Sequence, residues 1–187
     1  MSVPSSLLRV HSDDRERELL RRTAAHERQA FEELYTVYHR RLTRFLMRLA
    51  PRYELAEEVI NDTFWIVWQK AGDFRGASRV STWIMGIAYR CALKVLRSER
   101  SLAHAELPAV LQALTDEPTR AEEEHEWLMQ GLRQLPFEQR MTLELAYFLG
   151  HSCEEIGAIM NCPATTVKTR MFHAREKLRH LLPELGV

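Results

Sequence analysis

The chain has 187 residues, enough for one large or two small domains with a buried core, and its 26 Lys and Arg balance 26 Asp and Glu to a formal charge of zero. A hydrophobic share of 45% and an aromatic share of 9% exclude wholesale disorder. No apolar run approaches membrane-spanning length, and the amino terminus lacks the basic head and apolar body of a secretory signal, so a cytoplasmic protein without membrane insertion is expected.

Strong helix formers dominate, glycine is scarce, and no stretch alternates apolar and polar residues for long, which predicts an all-α fold of two small bundles. Cys91, Cys153 and Cys162 form no even framework and no CxxC pair, as expected of a reducing compartment. His151, Cys153, Cys162 and His173 are zinc-ligand types, but their spacing matches no common structural zinc pattern. Small residues filling a helix junction are the preferred reading, with no metal and no cofactor.

Residues 1–27 read as a polar extension, a loose arm with a helical portion over 13–26, to which no function attaches. Over 27–49 the apolar positions Ala30, Phe31, Leu34, Tyr35, Tyr38, Leu42, Phe45, Leu46 and Leu49 recur at helical spacing until Pro51. The next helix, 54–71, has two unlike sides. Ala56, Val59, Ile60, Phe64 and Val67 make a core stripe, while Glu58, Asn61, Asp62, Trp65 and Gln69 align on the other side. A tryptophan among acids is the composition of a protein-binding patch, and equally of a solvated face whose Trp65 packs on a neighbouring loop.

Residues 73–81 are a loop by their Gly, Ser and charge content, with Ser81 or Thr82 placed to cap the helix that follows. In that helix Arg90, Lys94, Arg97 and Arg100 form a basic stripe opposite Ile84, Ile87, Ala88, Cys91 and Val95. Phe74 and Trp83 bracket the loop beside this stripe, an arrangement suited to unstacked bases of a single strand. The first domain is thus expected to span 28–100. Periodicity then weakens over 101–118, where Pro108 and Pro118 punctuate and acids accumulate, as in a flexible acidic linker.

The second domain is expected at 119–187. A helix through Trp127, Leu128 and Leu132 stops at Pro136, and another begins at Phe137 or Glu138 and closes on Gly150 as its carboxyl cap. Ser152 and Glu155 make a capping-box pattern, Asn161 and Cys162 interrupt, and Pro163 suits the first turn of a final helix. Val167, Met171, Ala174, Leu178 and Leu181 account for its inner side. Thr165, Thr166, Lys168, Thr169, Arg170, Phe172, His173 and Lys177 fall on the outer side, the inventory of a helix that reads duplex DNA. An ordinary hairpin with a solvated basic face has the same pattern. Between residues 168 and 180, however, Lys168, Arg170, Arg175, Lys177 and Arg179 oppose the single acid Glu176 in a chain of zero net charge.

Several motifs resemble one family. Residues 132–140 (Leu-Arg-Gln-Leu-Pro-Phe-Glu-Gln-Arg), 150–157, 162–170 and 174–179 resemble the promoter-binding carboxyl-terminal domain of extracytoplasmic-function (group IV) sigma factors. Residues 31–35, 56–64 (Ala-Glu-Glu-Val-Ile-Asn-Asp-Thr-Phe), 74–76, 81–84 and 87–88 resemble the amino-terminal domain of the same family. The resemblance implies a transcription initiation factor, not an enzyme and without a small-molecule substrate, whose partners are core RNA polymerase, promoter DNA and an anti-sigma factor. Glu58, Asn61, Asp62, Trp65 and Gln69 would dock on the polymerase clamp. Phe74, Arg75, Arg79, Ser81 and Trp83 would hold an extruded base of the −10 element, with Arg90, Lys94 and Arg97 tracking the strand. Thr166, Lys168, Thr169, Arg170, Phe172, His173 and Arg175 would meet the −35 duplex. The alternative is a two-domain regulator with a LuxR-type helix-turn-helix acting without polymerase, which leaves the Trp65 face and the 73–81 loop unexplained.

Overall fold

The computed structural model describes residues 5–49, 52–102 and 128–184. The linker expected at 101–118 falls outside these residues beyond position 102, as does Trp127. All described regular elements are helical, as composition and periodicity predict. The chain divides into two compact units, with the main boundary between Val95 and Leu96 and with Ala158–Asn161 grouped with the first.

The first unit holds α1 (Ser5–Ala24), α2 (Arg28–Leu49), α3 (Tyr53–Lys70) and the greater part of α4 (Val80–Leu102), as far as Val95. Helix α2 buries Ala30, Leu34, Tyr38, Leu42, Phe45 and Leu46, and α3 buries Ala56, Val59, Ile60, Thr63, Phe64 and Val67. Their aromatic rings interlock edge to face: Phe31 and Tyr35 meet Phe64 at centroid distances of 5.9 and 4.8 Å, and Phe31 meets Trp68 at 5.0 Å. Truncating a ring as enclosed as Phe64 to alanine costs about 3–5 kcal/mol, so this junction sets the orientation of the outer face of α3. Buried Thr63 satisfies its hydroxyl on the Val59 carbonyl at 2.6 Å. On α4, Val80, Ile84, Met85, Ile87, Ala88, Cys91, Ala92 and Val95 are buried, and burial pushes the Cys91 thiol above its usual range, consistent with core filling.

Helix α1 is not the loose arm its polar sequence suggests. Leu19, Leu20 and Thr23 are buried in the bundle. Glu16 is buried too, and its carboxylate accepts hydrogen bonds from the Tyr38 hydroxyl and, at 3.0 Å, from Arg41 Nη1, both on α2. Buried Glu16 thus has its partners on another helix, which a search for apolar periodicity does not see.

In the second unit, helical residues 128–133 precede α5 (Phe137–Leu143), whose last turn widens to a π-helical one over Glu144–Phe148. The carboxyl cap is as expected: Gly150 is left-handed (φ 68°), and the His151 N–H reaches back to the Leu145 carbonyl at 3.0 Å. Then come α6 (Cys153–Met160) and α7 (Ala164–Glu184). Leu132, Leu135, Leu143 and Ala174 form a buried cluster, with Leu128, Met129, Met171 and Leu178 packed against it. No helix among the described residues is long and apolar enough to cross a membrane.

Candidate nucleic-acid interface

The α6–α7 hairpin is built by local chemistry. Ser152 and Glu155 form a reciprocal capping box: the Ser152 N–H donates to Glu155 Oε2 at 2.8 Å, and the Glu155 N–H donates to Ser152 Oγ at 3.2 Å. The helix ends at Asn161, left-handed with φ 53°, and the Cys162 N–H donates to the Gly157 carbonyl at 2.9 Å. A Cβ on Gly157 would stand 2.7 Å from the Cys162 carbonyl oxygen, so the turn closes only over a glycine. Sequence reading passed over this residue, whose only signal was a glycine inside a short helical pattern.

On α7 the inner side is as expected, with Val167 and Ala174 buried and Met171 and Leu178 half-buried. The outer side sorts into groups with different roles. Lys168, Thr169, Phe172, His173 and Arg175 are exposed, with Phe172 at 55%. Phe172 and His173 pair edge to face at 5.5 Å. Arg170 and Thr166 are half-buried, and Arg170 Nη1 turns back to the Cys162 sulfur at 3.6 Å, bracing the turn. The Thr169 hydroxyl donates to the Thr165 carbonyl at 3.1 Å. Arg175 Nη1 lies 3.4 Å from the Tyr147 hydroxyl, an exposed aromatic of the widened turn that sequence reading did not single out. Glu154 is held below the usual carboxylate range by a backbone N–H first, then by Ser152, with the Lys168 charge adding to the effect.

In the first unit the outer face of α3 is as periodicity predicts. Glu58, Asn61, Trp65 and Gln69 are exposed and Asp62 is half-buried; Trp65 is 62% exposed, so it is not packed away under a loop. Asp62 Oδ2 lies 3.9 Å from Lys94 Nζ, so the acidic face of α3 adjoins the basic stripe of α4. Arg90, Lys94 and Arg97 are exposed. The side chain of Arg100 lies outside the described residues.

Between α3 and α4 the chain makes a short 3₁₀ turn (Ala71–Asp73) and a loop through left-handed Gly76 (φ 72°). Phe74 and Trp83 do not stand apart as a bracket: both are half-buried, and their rings meet at 5.6 Å. Arg75 is exposed, and Arg79 and Ser81 are half-buried. The expected cap is also corrected. Helix α4 already begins at Val80, placing Ser81 and Thr82 inside its first turn, and the Val80 N–H donates instead to Asp13 Oδ1 of α1 at 3.2 Å. Arg17, one turn after Asp13, donates from Nη2 to the Ser78 carbonyl at 3.0 Å and lies 5.6 Å from the Phe74 ring centroid. Asp13 and Arg17 were missed because their partners are 61 to 67 residues away.

No group of three or more His, Cys, Asp or Glu among the described residues is placed to hold a metal ion.

Residues 34–102 match the family description "Sigma-70 region 2", and residues 125–178 match "Sigma-70, region 4". The RNA polymerase sigma-H factor of Pseudomonas aeruginosa is 30% identical over 187 residues, covering 93% of this chain and 97% of that protein. The ECF RNA polymerase sigma factor SigM of Mycobacterium tuberculosis is 30% identical over 169 residues, covering 90% and 85%. The RNA polymerase sigma factor CarQ of Myxococcus xanthus is 31% identical over 160 residues, covering 83% and 91%. Among solved structures, CnrH in complex with the cytosolic domain of CnrY aligns with a TM-score of 0.69 at 20% identity, covering 91% of this chain and 98% of that one. The sigma factor RpoE in complex with the anti-sigma factor NepR from Bartonella quintana aligns at 0.66 and 22% identity, covering 82% and 96%.

Proposed function

Because the chain belongs to the sigma-70 family, among the extracytoplasmic-function sigma factors of RNA polymerase, we infer that it joins core polymerase and directs it to one class of promoters. The α3 face of Glu58, Asn61, Asp62, Trp65 and Gln69 is the polymerase-docking surface. The 73–79 loop with Trp83 receives a −10 base, and Arg90, Lys94 and Arg97 follow the melted strand by charge. Helix α7 enters the −35 major groove. There Lys168 and Phe172 lead, with Thr166, Thr169, His173 and Arg175 beside them, while Arg170 holds the turn.

The observation that carries this reading is the outward presentation of Lys168 and Phe172 on a hairpin fixed by Ser152, Glu155 and Gly157. A regulator acting without polymerase has no use for the exposed Trp65 face, and the family match does not favour it. The chain acts by binding rather than by catalysis, in the cytoplasm where polymerase works. Both solved relatives named above were captured as complexes, one with a named anti-sigma factor. We extend such a partner to this chain.

The test is transcription by reconstituted holoenzyme, measured alongside core binding. Lys168→Ala with Phe172→Ala is expected to reduce promoter-specific transcripts and leave core binding intact, whereas Asp62→Ala with Trp65→Ala weakens core binding and spares duplex recognition. Equal losses in both assays for both pairs would overturn the assignment.

A further inference from the structure

The loop proposed to receive the −10 base takes its shape from outside its own sequence. Arg17 of α1 holds it at two points, the Phe74 ring and the Ser78 carbonyl, and closes the space over Gly76. Its guanidinium lies 5.6 Å from the Phe74 centroid, Nη1 sits 3.1 Å from where a Cβ of Gly76 would stand, and Nη2 donates to the Ser78 carbonyl at 3.0 Å. A further tether is Asp13. Its Oδ2 accepts from Arg17 Nε at 2.7 Å, while its Oδ1 accepts from the Val80 N–H at 3.2 Å. One carboxylate therefore joins the guanidinium that grips the loop to the first N–H of α4, a position where negative charge is also favoured by the helix dipole. With side chains 17% and 37% exposed, Asp13 and Arg17 are less hydrated than an ordinary surface pair, and each is committed to backbone as well as to its partner.

We propose that Asp13 and Arg17 are positioning residues for −10 recognition: by fixing Phe74, Gly76, Ser78 and the start of α4 relative to one another, they set which base the loop prefers. This rests on the assignment of the loop to the −10 element. Neither residue touches DNA on this account. Both act through Phe74 and the loop backbone. The arrangement favours a pair over a lone anchor, because removing Asp13 frees the guanidinium to rotate about its stem and removes the acceptor at Val80.

The test uses holoenzyme on promoters that differ at single −10 bases, with open complexes followed by 2-aminopurine fluorescence and core affinity measured in parallel. Arg17→Ala is expected to lower opening on the preferred promoter by about five- to tenfold, the scale of one lost hydrogen bond, and to flatten the base preference with core affinity unchanged. Asp13→Ala is expected to flatten the same preference. Arg17→Lys restores only part of it, since an ammonium cannot make the forked contact. Leu20→Ala, which weakens the same helix at a residue 1% exposed and away from the loop, serves as the stability control and is expected to keep the preference. The proposal is overturned if Arg17→Ala keeps the base preference while Phe74→Ala loses it, or if Leu20→Ala flattens it equally. If Phe74→Ala keeps the preference as well, the loop's assignment to the −10 element has failed, and the positioning role falls with it.

Discussion

Gly157 and Cys162 are in contact across the hairpin turn so closely that a methyl group on Gly157 would stand 2.7 Å from the Cys162 carbonyl oxygen. That atom is backbone, and its residue also donates the N–H that closes the turn on Gly157. The strain cannot be relieved by turning a side chain. Gly157→Ala is expected to cost about 1–3 kcal/mol, the usual range for overpacking, and to weaken −35 duplex binding because α7 is displaced relative to α6. Urea unfolding and fluorescence anisotropy on a −35 duplex read both effects, and unchanged duplex affinity would show that the turn tolerates the shift.

Trp65 separates binding from folding. At 62% exposed it contributes little to the bundle, so Trp65→Ala is expected to change unfolding free energy by no more than about 0.5 kcal/mol. As the aromatic centre of the docking face it should nonetheless lower affinity for core polymerase by about thirtyfold, the scale of a hot-spot residue. Titration of labelled core measures this. A variant of native affinity would move the docking surface elsewhere.

Lys168 and Phe172 are exposed neighbours on α7 that promise different signatures on DNA. A phosphate contact by Lys168 releases counterions, so Lys168→Ala is expected to reduce the slope of log affinity against log salt by about one. Phe172→Ala should leave that slope alone and cost affinity at one base position, by about 1–3 kcal/mol if the ring meets a base edge. Salt titrations on the −35 duplex and its single-base variants distinguish the two.

Tyr38 is buried in the first unit beside buried Glu16. Burial first, and the adjoining carboxylate next, hold its hydroxyl protonated well above the ordinary tyrosine range. Because the folded state raises this pKa, the associated stability is complete below the unfolded value of about 10 and is lost as pH rises toward the folded one. Wild-type protein is therefore expected to lose stability above about pH 10 more steeply than Tyr38→Phe, and ultraviolet titration should show one tyrosine fewer in the highest step of the variant. Parallel pH profiles for the two proteins would contradict the buried contact.

Much of this architecture was readable because it depends on short-range periodicity. The core stripe of α3, the Trp65 face opposite it, the Ser152 and Glu155 cap and the Gly150 terminus all involve residues within a few turns of one another, where helical geometry fixes who meets whom. What escaped was long-range or polar. Helix α1 looked unattached because its anchors are Asp13, Glu16 and Arg17, whose partners lie on α2, in the loop and at α4. The contact of Arg170 Nη1 with the Cys162 sulfur was not legible either, because side-chain type alone does not show that a cation also turns back to its own hairpin. Phe74 on the loop and Trp83 on α4 were expected to bracket the loop, but only the fold shows that their rings meet.

The reach of α1 bears on how this protein is dissected. The region 2 match begins at residue 34, an inviting place to start a fragment for crystals or single-strand binding assays. Such a fragment would discard Asp13, Glu16 and Arg17 together, leaving the Val80 N–H without its carboxylate and the Ser78 carbonyl without its guanidinium. It would also strip the Tyr38 hydroxyl of its acceptor. Promoter-melting defects in a piece trimmed that way would report the missing helix rather than the loop, so a useful boundary lies upstream of residue 13.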